Sequence, residues 1–207
     1  MTKSNALHKV QRADIQAGHA AAELHDHGAI RALGVVNKLA DQPPLIALSI
    51  ATAVWGVARA DRRLARTGAR MLASHLLATA IKAVVKRNVD RARPRLFGSE
   101  RDHRLTRGER DEGPRNSFPS GHTAGATAVS RAIAREYPEN AGSAYTVSAA
   151  VGAAQIPTGA HFPIDVAVGA AIGIVAEAAV ARVFPPAGEP IDADTRAQAA
   201  VTALTPP

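Results

Sequence analysis

Apolar residues recur at helical spacing along most of the chain. In the first such segment, between residues 27 and 41, they fall on every third position, at Ile30, Leu33, Val36 and Leu39. Longer apolar segments follow at residues 42–58, 71–85, 120–134, 140–156 and 165–183. Spacing of this kind is typical of α-helices. The pattern therefore predicts an all-α protein, a bundle of about five to six helices.

The same pattern divides the chain into three parts. Residues 1–26 are polar and lack the apolar core of a secretory signal, so we expect no cleavable signal there. Residues 27–183 hold all the apolar segments and are predicted to form a single helical domain. Residues 184–207 contain five of the 13 prolines and are predicted to form a flexible tail.

The apolar segments favour a bundle that is embedded in a membrane. Residues 42–58 run for 17 positions without a charge, a length that is marginal for a membrane span. The 46 alanines would let neighbouring helices approach closely. Lys82 and Glu177 interrupt two apolar segments, and in a membrane they would have to face the bundle interior or reach an interface. A soluble bundle of alanine-rich helices is the alternative.

Charge indicates an anionic partner. The chain has 25 Lys and Arg against 18 Asp and Glu, a net charge of +7, and ten of the cations lie between residues 86 and 115. An excess of this kind attracts phosphate groups, acidic lipids or nucleic acid. Nucleic acid is disfavoured, because aromatic residues are only 3% of the chain and the basic residues alternate with acidic ones.

The chain has no cysteine, which excludes disulfides, a thiol nucleophile and a zinc site with cysteine ligands. The histidines near the N-terminus, His8, His19, His25 and His27, show no metal-ligand spacing. We therefore expect neither a metal nor another cofactor.

Three polar patches lie between the apolar segments. In the first, residues 86–94, Lys86 and Arg93 are seven positions apart. Both side chains would point the same way if the helix continued to Pro94. Two aligned cations suit a phosphate group.

The second patch, residues 117–123, places Ser120 at a predicted helix N-cap, with Gly121 and His122 in the first turn. The free backbone N–H groups at a helix start form a cradle for an anion. A capped helix with a glycine for close packing would look the same in the sequence.

The third patch, residues 159–165, places His161 just before a helix that Pro163 can open, and Asp165 four residues after the histidine. A carboxylate at this spacing can hold one imidazole nitrogen and leave the other as nucleophile or base. If successive helices alternate in direction, all three patches emerge on the same side of the bundle. Such convergence is what an active site requires.

In order and spacing, the three patches read Lys86-x6-Arg93-Pro94, Pro119-Ser120-Gly121-His122 and His161-x3-Asp165. This arrangement resembles the phosphatidic acid phosphatase type 2 superfamily, which also contains class A bacterial acid phosphatases and vanadium haloperoxidases. The resemblance spans about residues 42–183.

The resemblance implies a role for each matching residue. His161 would be the nucleophile that attacks phosphorus, Asp165 would orient it, and His122 would protonate the leaving oxygen and later activate water. The residues that would hold the phosphate oxygens are Lys86, Arg93, Ser120 and, through its amide, Gly121. Metal-free phosphoryl transfer needs several cations around those oxygens.

The third motif departs from the family pattern. The family has Ser-Arg where this chain has Ala154 and Gln155, six residues before His161. Gln155 can donate a hydrogen bond but has no charge, so we expect it to be a weak phosphate ligand. Losing one such donor can reduce a rate by about 10²–10³-fold. The candidate substitutes in the sequence are Arg87, Arg91, Arg95 and Arg115.

The sequence thus predicts a metal-independent phosphatase that hydrolyses a lipid or polyprenyl phosphate or diphosphate through a phosphohistidine. The resemblance implies a multi-pass protein of the cell membrane with its active site on the non-cytoplasmic face. The expected partners are the membrane and the lipid substrate, and not nucleic acid.

Other functions stay open at this stage. A protein that binds phosphate lipids but has lost catalysis would have the same motifs. A Ser-His-Asp hydrolase would use Ser120, although the sequence has no Gly-x-Ser-x-Gly elbow. A haloperoxidase is less favoured, because the chain is short for that branch and no feature indicates vanadate.

Overall fold

The computed structural model describes residues 3–96, 103–108 and 116–184. Within these ranges the chain forms seven α-helices: α1 (Lys3–Ala22), α2 (Gly28–Asn37), α3 (Gln42–Ala58), α4 (Arg62–Asn88), α5 (Gly121–Glu136), α6 (Ala141–Ala154) and α7 (Pro163–Val183). Two short antiparallel strands, β1 (Val89–Asp90) and β2 (Thr106–Arg107), follow α4. The predicted all-α class is confirmed, and α1 is an addition to the predicted helices. The predicted flexible tail lies outside the described residues, except for Phe184.

Local sequence sets the starts of α5 and α7. The Ser120 hydroxyl accepts a hydrogen bond from the Thr123 amide at 3.4 Å, as an N-cap residue does. Pro163 is the first residue of α7, a position at which its missing N–H costs nothing. In the same turn the Asp165 carboxylate accepts a hydrogen bond from the Phe162 amide at 2.9 Å. The predicted starts of both helices are confirmed to within two residues.

Helices α4, α5 and α7 pack around a core of small side chains. The buried members of this core are Ala78, Ala124, Ala128, Ile172 and Ala176. A second cluster joins α3 to α4 and α5, through Leu45, Met71, Val129 and Ala132. Because alanine adds little bulk, the helices approach closely, and the bundle needs few large aromatic residues.

Two glycines of α7 allow a close approach to α5. A Cβ atom on Gly169 would lie 2.5 Å from the carbonyl oxygen of Ser120, and one on Gly173 would lie 2.6 Å from that of Ala124. These distances are too short for real Cβ contacts, so only glycine fits. The contact holds the start of α7 beside the start of α5, where the second and third patches lie.

A buried cluster of charges lies at the opposite end of these helices. Glu177 of α7 is completely buried, and its carboxylate is 2.5 Å from Nε of Arg135 and 3.3 Å from Nη2 of Arg131. Arg70 of α4 is also completely buried, 3.7 Å from Glu177 and 3.0 Å from Glu136. Glu177 therefore faces the interior of the bundle, as the membrane interpretation requires.

The outer surface of the bundle is rich in large apolar side chains. The exposed ones include Leu48, Ile50, Val54, Trp55 and Val57 of α3, Tyr145 and Val147 of α6, and Ile174, Val175 and Val183 of α7. By length and composition, α4 and α7 could each cross a membrane, and α3 is apolar but shorter, at 17 residues. These features are compatible with a lipid environment.

The polar N-terminal segment packs against the start of α7. Asp14 and Ile15 of α1 are buried, and the Asp14 carboxylate accepts a hydrogen bond from the Ile164 amide at 2.8 Å. Helix α1 therefore contributes to the end of the bundle where the predicted site lies. The domain division at residue 26 stays a prediction.

Candidate active site

Backbone hydrogen bonds tie the three sequence patches to one another. They run from the Ser117 amide to the Arg91 carbonyl (2.7 Å), from the Ser120 amide to the Asp165 carbonyl (3.0 Å) and from the Arg95 amide to the Gly159 carbonyl (3.1 Å). The second patch is therefore joined directly to the other two, and Arg95, which comes just after the first patch, is joined to the third.

A cavity of about 190 Å³ opens where the patches meet. Five of the predicted site residues line it, and they come from all three patches: Lys86, Arg93, Gly121, His122 and His161. The predicted convergence on one side of the bundle is therefore observed. Through these five residues the cavity brings two cations, two imidazoles and a helix start into one space.

Lys86 and Arg93 reach this cavity by a route that differs from the prediction. Helix α4 ends at Asn88, and β1 follows it, so the expectation of one helix continuing to Pro94 is wrong. Arg93 returns to the cavity after the strand, where its Nη1 donates a hydrogen bond to the carbonyl of Ala160 at 3.3 Å. A turn of the backbone, and not helical periodicity, places the two cations together.

In the second patch, Ser120 caps α5 and Gly121 lines the cavity. The Ser120 side chain is completely buried, caps α5 and lies 2.9 Å from the Thr123 hydroxyl. It does not line the cavity, so the structure offers no support for a Ser120 nucleophile. Gly121, which follows it, does line the cavity and presents the start of α5 to it.

His161 is buried beside Asp165, although the two are not hydrogen-bonded. Nδ1 of His161 is 3.8 Å from Oδ2 of Asp165, which is longer than a hydrogen bond, and it has no other partner among the described residues. Burial lowers the pKa of His161, an effect reinforced by Arg93 and opposed by Asp165. The lowered pKa favours the neutral imidazole, which is the form that can attack an electrophile.

The other carboxylate oxygen of Asp165 accepts a hydrogen bond from a buried arginine, Arg91. Arg91 Nη1 is 2.7 Å from Asp165 Oδ1, and Arg91 Nη2 is 2.5 Å from Asp14 Oδ2. The guanidinium also stacks on the ring of Phe162, at 3.9 Å from its centroid. Arg91 thus fixes the carboxylate behind His161, and its charge is offset by two carboxylates.

His122 is paired with a carboxylate from another helix. Nε2 of His122 is 2.7 Å from Oδ1 of Asp41, the residue that precedes α3. Asp41 occupies the N-cap position of α3, but its side chain makes no capping hydrogen bond. Its carboxylate is therefore used for the histidine and not for the helix.

Gln155 lies outside the cavity lining. Its side chain is buried, and the amide donates a hydrogen bond to the carbonyl of Val151 in its own helix at 3.3 Å. The backbone carbonyl of Gln155 accepts hydrogen bonds from the amides of Ala160 and His161, both at 3.2 Å. In this structure Gln155 shapes the loop that carries His161.

Seven residues of the cavity lining were not predicted from the sequence as site residues: Ala40, Asp41, Gln42, His75, Thr79, Lys82 and Pro119. The sequence contains a feature that could have identified Lys82 as a site residue: it is a charge inside an apolar segment, one helical turn before Lys86. No feature of the sequence identifies Asp41 as a site residue, since it looks like an ordinary helix cap. Among the described residues, no three His, Cys, Asp or Glu side chains are grouped to hold a metal ion.

Comparison with known proteins agrees with the motifs. The model of the PAP2 superfamily matches residues 67–189, more than half of the chain, and the protein therefore belongs to this superfamily. Two solved structures share its fold. The first is the transmembrane PAP2-type phosphatidylglycerolphosphate phosphatase of Bacillus subtilis, with a TM-score of 0.61 and 20% identity over 83% of this chain and 84% of that one.

The second is LpxE of Aquifex aeolicus, with a TM-score of 0.56 and 18% identity over 81% of this chain and 93% of that one. A search of curated proteins finds no match. At these identities the two structures establish the fold, and the chemistry has to be argued from the residues of this chain.

Proposed function

We propose that this protein is a metal-independent phosphatase that hydrolyses a lipid or polyprenyl phosphate or diphosphate through a phosphohistidine. The observation that carries the proposal is the cavity, in which the imidazoles of His161 and His122 and the cations of Lys86 and Arg93 meet at the start of α5. Membership of the PAP2 superfamily supports the same class of reaction.

The cavity residues account for both steps of such a reaction. In the first, Nε2 of His161 attacks phosphorus, the P–O bond to the leaving group breaks, and His122 donates a proton to the leaving oxygen. In the second, His122 takes a proton from water, the water oxygen attacks phosphorus, and the P–N bond breaks to release inorganic phosphate. Asp165 would complete its hydrogen bond to His161 after a movement of about 1 Å.

Positive charge and backbone amides would stabilise the transferring group. Its three equatorial oxygens carry spread negative charge, so positioned cations supply most of the catalysis. Lys86, Arg93 and the amide of Gly121 line the cavity in suitable places. The hydroxyl of Ser120 would act only indirectly, by fixing the start of α5.

A lipid substrate fits the apolar exterior of the bundle. Large apolar side chains cover the outer faces of α3 and α7, and α4 and α7 are long enough to span a bilayer. One structural neighbour is a phosphatidylglycerolphosphate phosphatase. We therefore place the protein in the cell membrane with several spans and assign the site to the non-cytoplasmic face, as the resemblance implies.

The test is a phosphate-release panel with the full chain in mixed micelles. The substrates are a polyprenyl diphosphate, phosphatidate and the soluble p-nitrophenyl phosphate. We expect inorganic phosphate from at least one lipid, at an undiminished rate in EDTA. Absence of release from every substrate would refute the proposed activity, and loss of release in EDTA would refute its independence of metal.

The second candidate is a phosphate-lipid binding protein without catalysis. The position of Gln155 favours it, because the family arginine is absent and the glutamine amide lies outside the cavity lining. Saturable binding of phosphatidate vesicles without phosphate release in the same panel would support this candidate.

Exchange of Asp41 for asparagine tests the role of His122. We expect kcat to fall about 10- to 100-fold, a part of what general acid–base catalysis contributes, because the neutral amide no longer orients or charges the imidazole. The matched control is Asp26→Asn, since the Asp26 side chain is 86% exposed and pairs with His25, away from the cavity lining. Unchanged kcat and an unchanged pH profile in Asp41→Asn would exclude the pairing from catalysis.

A further inference from the structure

The missing arginine of the third motif leaves the phosphate site one cation short. None of the arginines considered as substitutes takes its place among the described residues. Arg91 is committed to Asp14 and Asp165, whereas Arg87 and Arg95 do not line the cavity. Arg115 lies outside the described residues.

Lys82 of α4 does line the cavity, one helical turn before Lys86. Its side chain lies against the start of α5. A Cβ atom on Gly121 would be 3.1 Å from Cδ and 3.3 Å from Nζ of Lys82. The ammonium group therefore occupies the space beside the free N–H groups of that helix, and Gly121 is what leaves room for it.

Lys82 has no ion-pair partner among the described residues. The cavity that Lys82 lines has two further cations, Lys86 and Arg93, and one carboxylate, that of Asp41, which is paired with His122 at 2.7 Å. A charge in an apolar helix that could span a membrane is costly unless a partner offsets it. Three cations and a helix start around one cavity, whose one lining carboxylate is already paired with His122, favour the binding of an anion with several oxygens, such as a phosphate group.

We propose that Lys82 is the third phosphate-binding cation of this site and does the work of the arginine that Gln155 replaces. This inference rests on the proposed function and deepens it. In the family motif the third positive charge precedes the catalytic histidine in the chain, at the position of Gln155, whereas here it would come from helix α4. The chemistry is conserved, because in either arrangement the charge faces the equatorial oxygens.

The test compares Lys82→Met, which removes the charge but keeps the length, with Lys82→Arg, which restores it. We expect Lys82→Met to lower kcat/KM for phosphate release about 10²–10³-fold and Lys82→Arg to recover at least a tenth of the wild-type value. The control is Arg87→Met, an exposed cation on the same helix outside the cavity, with activity within about twofold of wild type. Thermal unfolding of each variant confirms that the fold is intact.

Anion binding separates the failure of this inference from the failure of the proposed function. The dissociation constant of inorganic phosphate is measured by calorimetry for wild type and Lys82→Met. If the wild type hydrolyses its substrate and Lys82→Met is as active, the inference is overturned and the function stands. If the wild type releases no phosphate, at least tenfold weaker phosphate binding by Lys82→Met still supports the cation site, whereas equal binding or no binding by either overturns it.

Discussion

Replacing His161 by alanine is expected to reduce phosphate release by about 10⁴- to 10⁶-fold, the range seen when a catalytic nucleophile is removed. The expected size of this effect follows from the surroundings of His161. His122 lines the same cavity, but its Nε2 is engaged by Asp41 at 2.7 Å. His161 is the imidazole that lies beside Asp165, so His122 is not positioned to take over the attack.

The measurement is single-turnover release of inorganic phosphate, with a search for the covalent intermediate. A phosphohistidine survives alkali and is lost in acid, so radiolabel from the substrate should remain on the protein at high pH. His122→Ala should retain this label for longer, because no base activates water in the second step. The control is His27→Ala, an exposed residue that precedes α2. Full activity in His161→Ala would remove the histidine from the mechanism.

Exchange of Glu177 for glutamine is expected to destabilise the protein by about 3–5 kcal/mol, the typical cost of breaking a buried ion pair. The carboxylate is completely buried and faces Arg70, Arg131 and Arg135. Without it, Glu136 is the carboxylate that remains beside Arg70. The excess positive charge then lies inside the bundle, where water offsets it poorly.

Thermal unfolding in detergent measures this effect as a fall in Tm. The control is Glu139→Gln, because Glu139 pairs with Arg63 at the surface, where such pairs contribute about 0–1 kcal/mol. The double variant Glu177→Gln with Arg135→Met should recover part of the lost Tm, since it removes a cation whose two hydrogen bonds are made to Glu177. Equal Tm values for Glu177→Gln and wild type would show that the cluster does not stabilise the bundle.

Some of the site could be predicted because its determinants are local. Ser120 caps α5 through a contact three residues away, and Pro163 opens α7 by its own ring geometry. The spacing of His161 and Asp165 puts them within 3.8 Å of each other. Alternation of helix direction then brings these starts to one end of the bundle.

Other parts of the site depend on contacts between distant segments. Asp41 meets His122 across 81 positions of sequence, and Asp14 meets Arg91 across 77. Nothing local distinguishes Asp41 from a helix cap. The helix that was expected to align Lys86 with Arg93 ends before Arg93, and the pairing of β1 with β2 replaces it.

The sequence by itself determined helices α2 to α7, the starts of α5 and α7 and the motif residues, because hydrophobic periodicity and capping act within a few positions of the chain. Only the tertiary structure decided which charges surround the cavity. Burial of small side chains between α4, α5 and α7 sets the distance between helices, and this distance places Lys82 against Gly121 and leaves Gln155 outside. Residue type limits what a side chain can do, and packing decides which side chains can act together.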